Sequence, residues 1–301
     1  MSWRASDLTE DQWVVSLTTA EQDAIVGGEP PARLPEWRDA LQHGLGFLLV
    51  RGVPVDRVDP VEAFTMIGRH LGEAVPQNGD GDLLTHIRDT GADPTNPDVR
   101  LYTTSAEQDF HTDGADLIGL LCLATAASGG VSSLASSVTV HDEVARRRPD
   151  LVHLLFEDWH WYLHGQQPSD TPPTFAMPIC RRDGDQVSTF FLGWWIRRAQ
   201  GCPGVPDLTP AQTELLALYE AIANEPGTAV DMDFRPGDMQ WLRNSVTLHK
   251  RTAYVDDPAN PRHLLRLWLA ARDFADGDEL LRGGIPSSAD RAPAAYDVRD
   301  S

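Results

Sequence analysis

Residues 110–124 read FHTDGADLIGLLCLA. His111 and Asp113 are two apart, and on an extended chain that spacing puts both side chains on one face. An imidazole nitrogen and a carboxylate oxygen can then meet one metal ion. The run that follows, Leu117 to Ala124, is nearly all apolar. It suits a strand buried on both sides. A single His-x-Asp pair is weak evidence in a chain with 10 histidines.

The second half of the pattern lies far downstream. Residues 244–252 read NSVTLHKRT, and 261–269 read PRHLLRLWL. His249 sits on a strand-like run. Two histidines and one carboxylate leave one face of an octahedral metal open, the arrangement of oxygen-activating iron(II). Arg262 and Arg266 flank an apolar strand, and the guanidinium fork matches a carboxylate. A loop over 252–261 is expected to pair the His249 strand antiparallel with the arginine strand. That would bring one arginine near the metal in a barrel interior.

Taken together, FHTDGADL at 110–117, SGGVSS at 128–133, NSVTLHKRT and PRHLLRLWL resemble the TauD/TfdA-like family of Fe(II)/2-oxoglutarate-dependent dioxygenases. The resemblance covers roughly Gly46 to Trp268. It implies a mixed α/β (α+β) chain with a double-stranded β-helix core (a jelly-roll, cupin-like fold), flanking helices and a long insertion. It implies His111, Asp113 and His249 as iron ligands. It also implies that Arg262 binds the distal carboxylate of 2-oxoglutarate, and that Arg266 contacts cosubstrate or prime substrate. Ser132 falls where the family often has a threonine on the same carboxylate. The implied cofactors are Fe(II), 2-oxoglutarate and O2, with ascorbate in support. The implied reaction is hydroxylation of an unactivated C–H bond with release of succinate and CO2. Desaturation, cyclisation and epoxidation are variants of the same chemistry. Asp113 is intact, where related halogenases carry a small residue, so the resemblance points away from halogenation.

The rest of the chain reads as helix and strand around these motifs. Helices are expected from Thr19, over Leu34–His43, from Pro60 to Leu71, from His141 toward Glu157 and from Pro210. Strands are expected over 47–51, 132–140, 187–196, 230–234, 239–242, 246–249 and 264–269. Residues 1–275 are read as one oxygenase domain with an insertion at about 140–229 forming pocket and lid. Residues 276–301 are read as a polar tail. Within the insertion, Trp161, Arg197 and Arg198 are candidate substrate contacts, as are Gln77 and Asn78 earlier. Tyr102, Thr103 and Gln108 stand close enough to His111 to reach the pocket.

Composition narrows the function classes. There are 45 acidic and 25 basic residues, a formal charge of −20. Such a surface repels phosphate backbones and argues against nucleic acid. Three cysteines without CxxC spacing read as free thiols in a reducing compartment. No run of ~18 apolar residues would span a membrane, and a cytoplasmic location is expected. The expected partner is a small molecule, partly aromatic or carboxylate-bearing; the sequence leaves homo-oligomerisation open. Two other classes compete: a non-catalytic 2-oxoglutarate or metabolite sensor on the same scaffold, and a zinc or manganese hydrolase using the same three ligands.

Overall fold

The computed structural model describes residues 1–96, 99–163, 172–271 and 274. The expected tail at 276–301 lies outside them. Two sheets face each other. Among the described residues the larger has seven strands. Six run in the order β1 (Val14–Ser16), β2 (Phe47–Arg51), β14 (Met239–Arg243), β6 (Leu117–Ala124), β17 (His263–Ala270) and β3 (Glu73–Ala74). β4 (Leu84–Ile87) also pairs with β17. The smaller sheet runs β13 (Val230–Met232), β8 (Ser132–Ser136), β15 (Thr247–Arg251) and β5 (Gln108–His111). This is the double-stranded β-helix. A short ribbon of β7 (Ser128–Gly129) and β16 (Tyr254–Val255) closes one end.

The alternation of side chains explains the layers. In β2, β6, β14 and β17, Leu48, Leu121, Trp241 and Leu265 face outward. They meet helices α2 (Leu34–Gln42) and α3 (Pro60–Leu71) through Trp37, Leu41, Phe64 and Ile67. Their strand neighbours Phe47, Ile118, Leu242 and Trp268 face the other sheet. With period-two alternation, each strand thus contributes to two cores. α1 (Thr19–Val26) starts with a capping box in which Thr18 and Glu21 bond reciprocally.

The segment between β8 and β13 forms the insertion. It contains α4 (Ser137–Arg147), the hairpin of β9 (Asp158–Tyr162) and β10 (Thr174–Pro178), the hairpin of β11 (Cys180–Asp183) and β12 (Gln186–Thr189), α5 (Gly193–Ala199) and α6 (Pro210–Ala223). It packs on the outer face of the smaller sheet through Phe110, Ala135 and Leu248. Their strand neighbours His111, Leu134 and His249 face inward.

Three expectations are corrected. The His249 strand and the arginine strand do not pair: β15 lies between β8 and β5, and β17 lies in the opposite sheet. The connection crosses the sandwich, so the arginines face the histidines across the interior. Residues 193–199 are helical although β-prone, because a tertiary anchor at Phe191 ends the strand and Trp195 and Ile196 bury one helical face. The helix expected from His141 begins at Ser137, capped by Ser136 accepting from the Thr139 N–H at 3.1 Å, and ends at Arg147, two residues before Pro149.

Candidate active site

The three candidate metal ligands, His111, Asp113 and His249, lie where the two sheets exchange strands. β15 and β5 place His249 directly opposite His111. Two residues further, Arg251 pairs with Gln108, three positions back on β5, so β5 carries a bulge at this point. The bulge has two effects. The Asp109 carbonyl accepts from His111 Nδ1 at 2.8 Å, which fixes the tautomer and leaves Nε2 with its lone pair free to bind a metal. It also turns Gln108 onto the His111 face, with its amide nitrogen 3.0 Å from that Nε2.

Asp113 sits in the crossover from β5 to β6. His111 Nε2 is 3.8 Å from its Oδ1, and His249 Nε2 is 3.6 Å from its Oδ2. One donor atom from each of the three residues falls within 4.8 Å of the others. The two imidazole ring centres are 4.1 Å apart. Burial, then neighbouring His249, pushes His111 down to about 3, so the imidazole is neutral at neutral pH. Burial pushes the Asp113 carboxyl up, but Arg266, then His249 and His111, outweigh it and hold it below the usual carboxylate range.

The second crossover, from β14 to β15, locks the first. Asn244 is fully buried; its Oδ1 accepts the Asp113 N–H at 2.8 Å and its Nδ2 donates to the Asp113 carbonyl at 2.6 Å. The Asn244 N–H donates to the Asp116 carbonyl at 2.9 Å. On the other side, Thr112 anchors the insertion. Its N–H donates to the Phe191 carbonyl and its Oγ1 accepts the Phe191 N–H, both at 2.8 Å. This brings α5 to the site, with half-buried Trp194 edge-on to His111 at 5.0 Å.

Arg251, Arg262 and Arg266 are buried. Aromatic faces hold them. Arg251 and Arg262 lie over the Tyr254 ring at 4.9 and 5.0 Å. Arg266 lies over Tyr102 and Trp268, also at 5.0 and 4.9 Å. Burial, then the neighbouring Arg262, lowers Arg251 to about 10, still protonated at neutral pH. Arg251 Nη2 donates to the carbonyls of Thr104, at 3.0 Å, and of Ala106. Gly129 and Gly130 explain the glycine pair of the SGGVSS motif: both have positive φ, and a side chain on Gly130 would come within 3.0 Å of Arg262 Nε.

Several buried donors lack a hydrogen-bond partner among the described residues: Arg262 Nη1, Arg266 Nη2 and Gln240 Nε2. Such groups are costly unless a ligand satisfies them. Gln240 Oε1 accepts from Ser132 Oγ at 3.2 Å. The interior therefore fits both a divalent metal on the two imidazoles and the carboxylate, and a carboxylate-bearing cosubstrate on the open N–H groups.

The other expected residues divide. Gln77 is fully buried and serves Arg266: it accepts from Arg266 Nε at 2.7 Å and donates to the Arg266 and Leu83 carbonyls. Asn78 organises its own loop, accepting from the Asp80 and Asp82 N–H groups. Trp161 is fully buried in the insertion core and donates to the Met177 carbonyl at 2.8 Å, so it packs rather than lines an open wall. Arg197 pairs with Glu220 at 2.5 Å on the surface, and Arg198 lies over Tyr162. Tyr102 meets Arg266, Gln108 meets His111, and the Thr103 hydroxyl bonds the Arg100 carbonyl. Asn244, Trp268, Gln240, Arg251 and Thr112 were given no role from sequence.

Comparison with known proteins places this geometry. The family model for Taurine catabolism dioxygenase TauD, TfdA family matches residues 16–268. The chain belongs to this family. Like other TauD/TfdA dioxygenases it is an oxidoreductase that works with iron(II), 2-oxoglutarate and O2. FR-33289 synthase of Streptomyces rubellomurinus is 35% identical over 267 residues, covering 83% of this chain and 77% of that protein. Taurine hydroxylase-like protein SAT17 of Stachybotrys chartarum is 30% identical over 242 residues, covering 74% of this chain and 60% of that protein. Among solved structures, an asparagine oxygenase complexed with Fe(II), 2S,3S-3-hydroxyasparagine and succinate superposes with a TM-score of 0.70 at 16% identity. That match covers 85% of this chain and 93% of the other, and supports the shared TauD-like fold. Among the described residues, no helix is long and apolar enough to cross a membrane.

Proposed function

We propose that this dioxygenase hydroxylates an unactivated carbon of a small polar natural-product intermediate, with His111, Asp113 and His249 holding iron and Arg262 holding the far carboxylate of 2-oxoglutarate. The observation that carries the assignment is the meeting of three candidate ligand atoms within 4.8 Å opposite buried guanidinium N–H groups that have no partner among the described residues. A hydrolase has no use for those cations. When bound, iron(II) and 2-oxoglutarate supply the oxidant: the keto-acid loses CO2 to become succinate, and the two atoms of O2 go to succinate and to the substrate.

The chain's own residues do the positioning. Asp109 holds the His111 tautomer, Asn244 holds the backbone of Asp113, and the interior apolar layer excludes bulk water. Gln240, its Oε1 held by Ser132, presents Nε2 to hydrogen-bond an anion together with Arg262. Half-buried Trp194 and Gln108, beside His111, support a substrate with an apolar or aromatic face and a hydrogen-bonding group such as a carboxylate. Relatives named for small polar molecules, among them a uridine-5'-phosphate dioxygenase of Streptomyces sp, support the same size class.

The test is anaerobic. Apo-protein given Fe(II) and 2-oxoglutarate should develop a weak visible charge-transfer band that neither component gives alone and that His249→Ala abolishes. Iron bound without any such band would remove 2-oxoglutarate from the account. Succinate release across a compound panel then identifies the substrate; activity confined to small aliphatic cations would sink the class named above.

A further inference from the structure

The two oxygens of Asp113 are not equivalent. Oδ2 accepts the Trp268 indole N–H at 2.9 Å and an Arg266 guanidinium N–H at 3.2 Å. Trp268 is fully buried on β17, and Arg266 is itself pinned by Gln77 and two aromatic faces. Among the described residues Oδ1 receives no such donor; it lies 3.8 Å from His111 Nε2. His249 Nε2, 3.6 Å from Oδ2, is beyond hydrogen-bonding distance. Each oxygen thus lies beside one imidazole, and the donors on Oδ2 leave Oδ1 the freer of the two.

We propose that Trp268 and Arg266 are positioning residues that hold Asp113 to one-oxygen coordination through Oδ1. This rests on the iron and 2-oxoglutarate reading above. Two imidazoles and one carboxylate oxygen take three positions of an octahedron. A chelating keto-acid takes two more, which leaves one for O2. A carboxylate that closed on the metal with both oxygens would fill that last position. An oxygen already receiving two hydrogen bonds, one from a cation, has little lone-pair density left for a metal, and outer-shell donors of this kind orient ligands throughout metalloproteins.

Trp268→Phe keeps the ring over Arg266 and removes the N–H. The probes are Fe(II), 2-oxoglutarate and nitric oxide, a stable stand-in for O2, all under anaerobic conditions. The variant should still show the charge-transfer band with iron and cosubstrate, while nitric oxide affinity, followed by electron paramagnetic resonance, falls at least ~10-fold. Gln77→Met, which loosens Arg266 without touching Asp113, should lower it in the same direction by less. Normal nitric oxide affinity in a variant that binds iron and cosubstrate overturns the proposal. So does loss of iron itself from a folded Trp268→Phe protein, because the indole would then secure the ligand rather than limit its denticity. If Trp268→Phe does not fold, Gln77→Met decides alone. Absence of the band in the unaltered protein would instead strike the cofactor reading.

Discussion

The side chain of Asn244 grips the peptide of Asp113 from both ends, accepting its N–H at 2.8 Å and donating to its carbonyl at 2.6 Å. The two residues are 131 positions apart, and each lies in a crossover between the sheets. The Asp113 carboxylate is therefore placed by the opposite crossover as much as by its own loop. Asn244→Ala would leave a buried N–H and C=O unpaired. It should cost about 2–4 kcal/mol in chemical denaturation and weaken metal binding to the remaining fold. Unchanged metal affinity in the folded variant would show that the β5 crossover holds Asp113 unaided.

Arg262→Lys keeps the charge and loses the fork. Because Arg262 Nη1 and Gln240 Nε2 are both open, the variant should bind 2-oxoglutarate at least ~10-fold more weakly, read from the anaerobic charge-transfer band, while iron affinity stays put. Gln240→Leu should shift the same titration by a smaller factor.

Gly129→Ala tests the ribbon that carries Tyr254 to the arginines. The backbone has φ of +73°, and a Cβ would collide with the Ala253 carbonyl. A loss of ~2 kcal/mol or more is expected, with weaker 2-oxoglutarate binding as Tyr254 shifts from Arg262. A neutral result would show that the ribbon yields freely.

Acid should find the α1 cap. The Arg33 guanidinium, against the opposing effect of burial, holds Glu21 down to about 2 from its ordinary 4.5. A depressed folded value adds stability above pH 4.5, lost as pH falls from there toward 2. Arg33 is about a third exposed, which limits the contribution to ~1–2 kcal/mol. Glu21→Gln should lower the melting temperature at pH 7 and remove that part of the decline between pH 4.5 and 2.

Thr112→Val should free Phe191 and with it α5, leaving iron and cosubstrate binding intact. Once a substrate is found, succinate formation should become less tightly coupled to product, as Trp194 leaves His111. Unchanged coupling would place the substrate elsewhere.

That His111, Asp113 and His249 come together was legible because the pattern is local chemistry at fixed spacing: a His-x-Asp pair ahead of an apolar strand, then a histidine ahead of two arginines four apart. Most strands were legible from apolar runs, and α6 from its Thr209 cap. What sequence did not show was which sheet each strand joins. The expected pairing of the His249 and Arg266 strands failed because a connection of that length crosses the sandwich as readily as it turns back. Trp161 and Arg197 looked like pocket residues by composition; one is core and the other paired with a glutamate on a helix more than twenty residues on. Gln108 needed a bulge, invisible in sequence, to reach the histidine. Trp268 reads as one more apolar strand residue until its indole is seen 2.9 Å from Asp113, 155 positions away.

The insertion's buried core draws on only Phe110, Ala135 and Leu248 from outside it among the described residues, and Thr112 ties it to the ligand loop. It comes close to a cassette once its bonds to the N-terminal segment, Trp3 on Thr139 and Ala5 on Thr228, are carried with it. Its two ends, after Ser136 and before Val230, leave and re-enter paired strands of one sheet. Chimeras that exchange residues 137–229 between relatives, keeping those three contact positions and Thr112 matched, should preserve the iron centre while trading one substrate range for another.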